Sequence, residues 1–497
     1  MSRRPQDDYD PPVPFPMWAV SNGEWLPAPV SEMQRLAVKL IGEETGAQAR
    51  RHGMTRKDFM RTAAATATAF MVLNKIHRLD AWGANAVLPV KKVHCDDLDA
   101  GSELLDRKMF IMDVQTHHVD LGLTLIPPRL FCFLRFGPGR EIDRMTGMQC
   151  PESLGRVNYL KELFVDSQTS IGVISGLPGG LPLGPEAGAA TRDLVNDAAG
   201  TQRCLMQIMM DPKAAPGLPT AIDHMEHQIV DLKAVKAIKT YTYAGNWFLD
   251  DEQIAYPMFQ EATRLGVNLI NVHKGLPATF APGSEQTVRT IDFPKAVADW
   301  PNLSFCAYHS GWFEENADGT TTHPEGKPDC TEFLEIVSSM PKKDRKRVYA
   351  EIGSTFAIAL SRGPETAAHL IGRLLKTLGP RNILWGTDSI WWGSPQFLID
   401  AFKNLQIPEA MRKQFGYPKL TDKIKKRILG LNAAGVYGLA KPDRTNLCAI
   451  TADRFEQIKA EQGGFRVGRS LRTYGPMSRR EVLAMAWRDG RIPSPSV

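Results

Sequence analysis

From about residue 105 onward the chain alternates between two hydrophobic patterns. Short apolar, β-branched runs recur at 109–115, 170–175, 204–209, 235–241, 266–272, 303–308, 347–352 and 382–387. Between them lie longer stretches with helical spacing: EAGAATRDLVNDAA, AIDHMEHQIVDLKAV, DEQIAYPMFQEATRLG, CTEFLEIVSSM and PETAAHLIGRLLKTLG. Several open on Asp, Glu or Pro and some close on Gly. Those residues suit the unpaired N–H groups at a helix start and the left-handed turn at its end. Runs begin about 30–60 residues apart, room for a helix in between, so successive strands pair in parallel. Eight such units predict an α/β fold, a closed (β/α)8 TIM barrel. A doubly wound open sheet is the alternative, but its phosphate-binding signature is missing. The nearest match to a Gly-rich loop, GPGRE at 137–141, does not follow a strand and reads as a turn.

The flanks read differently. Residues 1–104 form an N-terminal extension. Its Pro-rich start, with DYDPPVPFP at 8–16, is an extended arm, because proline lacks the N–H a helix needs. Residues 31–44 follow as an amphipathic helix capped by Ser31. In 50–76, Arg50 and Arg51 precede TRKDFMR and the small-residue stretch TAAATATAFMVLN. That order resembles a twin-arginine export signal, with Lys57 in place of the second arginine; the alternative is an Ala-rich buried helix. The expected location is therefore cytoplasmic, or periplasmic through this segment. The barrel spans 105–440, and its last stretch, TDKIKKRILGLNAAGVYGL at 421–439, is a closing helix. Residues 441–497 are an Arg-rich helical tail in which Ser478 and Glu481 make a capping box.

Composition narrows the class. A hydrophobic content of 43% against 23% charged residues describes a chain able to bury a large core. A formal charge of +5 over 497 residues is too weak for a nucleic-acid footprint. The apolar stretch at 62–74 is too short to span a bilayer. Seven scattered cysteines without a CxxC pair argue against a zinc ribbon or a disulfide scaffold and read as reduced, mostly buried thiols. The expected partners are a small-molecule substrate and further copies of the chain in a homo-oligomer.

In a parallel barrel the C-terminal ends of the strands converge on one mouth, so candidate chemistry lies there. Run one ends in Gln115, His117 and His118, run four near Lys239, run five at His273, run six at His309, run seven at Glu351 and run eight at Asp388. Imidazoles with one carboxylate suit a divalent ion, Zn2+ first and Mn2+ or Fe2+ as alternatives. Trp312, Trp391 and Trp392 are candidate pocket walls. Arg129, Arg135 and Arg140, in the long loop 120–168, are candidate carboxylate clamps. His224 and His227, three apart, lack the HExxH spacing and read as a solvated helix surface.

The motifs DVQTHHVD, NVHKGLP, AYHSGW, WGTDSIWWGSP and ILGLNAAGVYGL resemble the amidohydrolase superfamily, in its branch that includes aminocarboxymuconate-semialdehyde decarboxylase. The resemblance covers about residues 109–440. It implies metal ligands at His117, His273 and Asp388 and a catalytic His309, with Asp388 taking a proton and His309 stabilising an oxyanion. Gln115 stands where the resemblance expects a first histidine. Lys239 is near the place of a metal-bridging carboxylated lysine, and its alternative is a substrate-carboxylate partner. Glu351 is a further ligand, an acid/base or a rim residue. Lys239, Trp312 and Trp391 are the substrate-binding candidates. The implied function is a metal-dependent hydrolase using activated water on a small carbonyl or carboxylate-bearing substrate. The alternatives are a non-oxidative decarboxylase (a lyase) or a metal-free binding protein.

Overall fold

The computed structural model describes residues 13–22, 24–77, 86–120, 154–178, 183–213, 217–278, 281, 283–316 and 318–462. Arg129, Arg135, Arg140, the GPGRE turn and the helix expected after Ser478 lie outside them.

Eight parallel strands follow one another in chain order around a single sheet. They are β1 (Met112–Thr116), β2 (Ile171–Ile174), β3 (Cys204–Met209), β4 (Val235–Tyr241), β5 (Leu269–Gly275), β6 (Ser304–Trp312), β7 (Val348–Glu351) and β8 (Ile383–Leu384). Helices fill the crossovers: α3 (Pro185–Ala199), α4 (Leu218–Val230), α5 (Ala255–Arg264), α6 (Phe293–Asp299), α7 (Thr331–Ser339), α8 (Pro364–Leu378) and α9 (Gln396–Asn404). The ring closes where β8 and its extension meet β1. Val114 N–H donates to the Trp385 carbonyl (3.0 Å), Asp388 N–H to Gln115 (2.9 Å) and His117 N–H to Ser389 (2.6 Å). This is the (β/α)8 TIM barrel that the alternation predicts.

Two boundaries differ from the pattern. The last strand keeps only two ladder residues of the six expected, because the Asp113 carboxylate takes Thr387 N–H (3.1 Å) and its hydroxyl, replacing ladder bonds by side-chain bonds. The second helix stops at Val230, before the expected residues 231–235, and β4 begins at Val235. The closing segment is helical from Asp422 to Val436, with a wider π turn at Arg427–Leu431.

The extension is built into the fold. The amphipathic pattern gives α1 (Glu32–Arg51), capped by Ser31 and Gln34 in a capping box. The Ala-rich stretch gives α2 (Ala63–Ile76), whose Ala64, Ala65, Ala67, Ala69, Phe70 and Leu73 have no exposed surface. Small side chains allow close approach: a Cβ on Gly101 would meet the Ala64 backbone nitrogen at 2.8 Å. Before α1 the arm packs Phe15 on Phe397 of α9, with ring centroids 5.9 Å apart. Ten residues later Trp25 packs among Leu276, Pro277 and Ala278, just past β5. The arm therefore crosses the C-terminal face of the barrel. Gln34 fixes it by donating to the Met17 and Ser361 carbonyls, both at 3.0 Å. Among the described residues no helix is long and apolar enough to cross a membrane, and Cys95, Cys204, Cys306, Cys330 and Cys448 are free thiols.

Candidate active site

Gln115, His117, Lys239, His273, His309, Glu351 and Asp388 all converge at the mouth, each 1% exposed or less. His117 leaves β1 facing inward, and its Nε2 lies 3.2 Å from Asp388 Oδ1. Gln115 sits between: its amide nitrogen donates to Asp388 Oδ1 at 3.0 Å and faces His309 Nε2 at 3.3 Å. Among the described residues its Oε1 has no hydrogen-bond partner. Asp388 Oδ2 accepts the Ser354 hydroxyl at 2.7 Å. Burial raises the Asp388 pKa, but His117, His309 and Ser354 outweigh it and hold the carboxyl below its ordinary range.

The imidazole tautomers follow from their partners. His117 Nδ1 is 2.8 Å from the Ser175 carbonyl and His309 Nδ1 is 2.8 Å from that of Gly353. A carbonyl only accepts, so both protons sit on Nδ1 and both Nε2 atoms are bare in the neutral ring. A bare Nε2 takes up a proton and does not donate to an oxyanion. Burial first, then Lys239, lower the His309 pKa to about 4, so it is neutral near pH 7. His273 does the opposite: its Nε2 is 3.2 Å from the Leu276 carbonyl and is the donor. Burial, then His309 and Lys239, keep His273 neutral too.

Glu351 is placed as an anchor. Its Oε2 accepts His309 N–H (3.1 Å) and its Oε1 accepts Gly353 N–H, so backbone groups occupy both oxygens. Gly386 must lack a side chain, because its Cβ would collide with that carboxylate. The anchoring matters because the strand ends are strained: His309, Ser310, Ser354 and Asp388 all have φ between 52 and 63°. Non-Gly residues adopt that region only where surrounding bonds enforce it, and such outliers gather at functional sites.

The other half of the mouth is aromatic. Lys239 Nζ lies 4.3 Å from the Tyr241 ring centroid and 4.1 Å from that of Tyr308. Among the described residues it has no hydrogen-bond partner. Burial lowers its pKa to about 8, against the pull of Asp388, Glu351 and Glu24. Tyr243 packs edge-on against His273 at 5.0 Å.

Glu24 escaped sequence reasoning. It comes from the arm, is buried, and accepts the electrostatic influence of Asp388, His117 and Lys239. Tyr243 interacts with its carboxylate. The one available signal was a stretch, Trp18 to Trp25, too apolar for a solvated tail. Of the remaining candidates, Trp392 touches the cluster through its indole N–H, which donates to the Ser354 hydroxyl at 3.3 Å, and the others fall outside it. His118 points away, 2.9 Å from Thr191 of α3, as strand alternation predicts. Trp312 and Trp391 are buried in the main core, and Trp392 lines a groove between the arm and α9.

The donors suit a divalent ion at one edge. With both protons on Nδ1, His117 Nε2 and Asp388 Oδ1 are two acceptors in contact, which requires a proton or metal cation between them. Donors bound at ~2.1 Å to one ion stand ~3.0–3.4 Å apart, and 3.2 Å fits. The Gln115 amide oxygen, orphaned and lying toward Gly353, becomes a third donor only when the amide turns over, while His273 spends its Nε2 on Leu276. Among the described residues, three His, Cys, Asp or Glu donors approach within 4.8 Å of one another only at Glu186, His224 and His227, on the outer helices.

A family model described as amidohydrolase matches residues 186–439, just over half of the chain. No curated protein matches the sequence. Among solved structures, the chain is similar to 5-carboxyvanillate decarboxylase from Sphingomonas paucimobilis, at 12% identity and a TM-score of 0.41, over 67% of this chain and 100% of that one. It is also similar to 2,6-dihydroxybenzoate decarboxylase from Rhizobium, at 14% identity and a TM-score of 0.40, over 67% and 99%. A third is dihydroxybenzoic acid decarboxylase from Polaromonas sp. JS666 with bound manganese, at 12% identity and 0.41, over 68% and 99%.

Proposed function

The chain belongs to the amidohydrolase family, and on that premise we propose that it is a metal-dependent hydrolase acting on a small carboxylate-bearing carbonyl compound. The observation that carries this reading is the contact of two acceptors, His117 Nε2 and Asp388 Oδ1, beside an ammonium group with no hydrogen-bond partner among the described residues. His117, Asp388 and the Gln115 amide would hold the ion, with Zn2+, Mn2+ and Fe2+ as the candidates. When bound, such an ion supplies hydroxide near neutral pH and polarises a carbonyl.

The chain's own groups do the rest. Lys239 offers a compact positive charge to a substrate carboxylate, with Tyr241 and Tyr308 fixing its direction. Asp388 stays ionised and is placed to accept a proton at Oδ1. His309 Nε2 takes the proton onward and returns it to a leaving group, since its neutral ring is a base. Ser354 and the Ser175 carbonyl hold Asp388 and His117 in these orientations.

A second reading, non-oxidative decarboxylation, is favoured by one feature. The mouth is shut, with every site residue at 1% exposure or less, and exclusion of water suits loss of CO2 better than hydrolysis. Metal analysis of the purified full-length chain tests both readings. They require a metal equivalent that His117→Ala and Asp388→Ala remove; its absence from every preparation overturns both. Mass spectrometry of the organic product formed in oxygen-labelled water then separates them, since hydrolysis places a water oxygen in that product and decarboxylation leaves it without one while releasing CO2.

A further inference from the structure

Far from the mouth, on the outer ring of helices, three metal-binding side chains meet. Glu186 lies in the first turn of α3, and His224 and His227 lie one helical turn apart on α4. Three residues apart is the spacing that puts two helical side chains on one face. Their rings are 4.9 Å apart. Glu186 Oε1 is 3.5 Å from His224 Nε2 and 3.8 Å from His227 Nε2. The donor atoms of all three lie within 4.8 Å of one another.

We propose that Glu186, His224 and His227 form a second, surface metal site that takes a borderline divalent ion such as Zn2+ and staples α3 to α4. Two imidazoles and one carboxylate are a usual zinc donor set, leaving a fourth position for water. Donors at ~2.1 Å from one ion stand ~3.0–3.4 Å apart in the tetrahedral to octahedral range. The spacings here exceed that by amounts that side-chain rotation covers, since all three side chains reach solvent.

An independent observation points the same way. His227 Nδ1 lies 2.7 Å from Asp231 Oδ2, at the C-terminal cap of α4. A carboxylate on Nδ1 holds the proton there and turns Nε2 outward as a bare lone pair. This is the arrangement in which a histidine ligand is fixed by an outer carboxylate. The backbone beneath is fixed too, because the Arg192 guanidinium of α3 donates to the Leu232 carbonyl just beyond α4. Binding therefore orders only three side chains. An ion at this site stabilises the folded chain by mass action, since the unfolded chain lacks the site.

The sequence spacing alone reads as a solvated helix face. What it cannot show is Glu186, which arrives from the preceding βα unit with 37 residues between it and His224.

Calorimetric titration of the chelator-stripped full-length chain with Zn2+ tests the site. The variants are His224→Ala/His227→Ala, Asp231→Asn and, to silence the mouth, His117→Ala. Circular dichroism without metal confirms that each variant folds. His224→Ala/His227→Ala alone keeps only the mouth's equivalent, whereas one Zn2+ equivalent persists in His117→Ala and disappears when His224→Ala/His227→Ala is added to it. Asp231→Asn retains it with affinity reduced ~10–100-fold, the usual effect of losing an outer carboxylate. Zn2+ also raises the melting temperature of His117→Ala and leaves that of His117→Ala/His224→Ala/His227→Ala unchanged. Unaltered stoichiometry and affinity in His224→Ala/His227→Ala overturns the proposal, as does a His117→Ala chain that binds no Zn2+.

Discussion

Gln115→Glu probes whether the amide occupies a cation's place. Its nitrogen is 3.0 Å from Asp388 Oδ1, and the substitution replaces that donor by a carboxylate oxygen. Two unit charges 3.0 Å apart repel by ~5 kcal/mol at an effective dielectric constant of ~20. The new carboxyl escapes part of this by staying protonated. Holding a group of ordinary pKa ~4.3 protonated at pH 7 costs ~1.4 kcal/mol per unit, so ~4 kcal/mol is the ceiling. Without metal the variant is therefore less stable by up to that amount. A divalent ion removes the repulsion, so the same energy returns as affinity, up to ~10³-fold at 1.4 kcal/mol per decade. The assay is thermal denaturation after chelation, with Zn2+ titration in the His224→Ala/His227→Ala background so that only the mouth is read. A Gln115→Glu chain as stable as its parent without metal, and binding Zn2+ no more tightly, refutes the placement of the ion at Asp388.

Three further outcomes follow from the same coordinates. Binding of a small carboxylate such as acetate weakens as pH rises through about 8, where Lys239, its pKa lowered by burial, loses its ammonium charge. Calorimetry that finds pH-independent affinity there, or unchanged affinity in Lys239→Met, removes Lys239 from the anion site. Lys274→Met leaves Asp292 as an uncompensated buried charge, because the two groups are 2.6 Å apart and 0% and 1% exposed. The expected loss is about 3–5 kcal/mol in urea denaturation, and Lys274→Met/Asp292→Leu recovers most of it. Trp25→Ala costs about 3–5 kcal/mol as a buried large-to-small change. It also speeds hydrogen exchange across residues 13–25 and 115–118, whereas exchange faster only around Trp25 itself would show that the arm does not seal the mouth.

Most of the barrel was legible because strand and helix periods differ and each βα unit repeats the contrast. The inward set His117, His273, His309 and Asp388 could be read for a related reason: strand ends in such a barrel can face only one mouth. Contacts made across the chain could not be read. Glu24 reaches the mouth from an arm that lies about 90 residues before β1, and no local pattern marks its destination. The stretch 62–74 was ambiguous for the opposite reason. Its small apolar residues suit a secretion signal as well as a helix packed against Gly101, and local pattern does not separate the two readings. Tautomers were equally hidden, since the His309 proton is fixed on Nδ1 by the carbonyl of Gly353, a partner that sequence does not specify.

The buried carboxylates show how this mouth is kept in shape. Asp113 receives Gln115 N–H and two groups of Thr387, while Glu351 receives His309 N–H and Gly353 N–H. Burial raises their pKa values to about 7 and about 8, so keeping both ionised is unfavourable. Among the described residues neither forms an ion pair with a lysine or arginine. Their bonds go instead to the backbone next to His309, Gly353 and Asp388, where φ is positive at His309, Ser354 and Asp388. A strand left to its own ladder would extend past these points and carry the imidazole and carboxylate away from the axis. By capturing the N–H groups that a regular ladder would use, Asp113 and Glu351 turn β6, β7 and β8 inward at the mouth. Two buried acids that could pass for catalytic groups or ligands thus serve to aim His309 and Asp388.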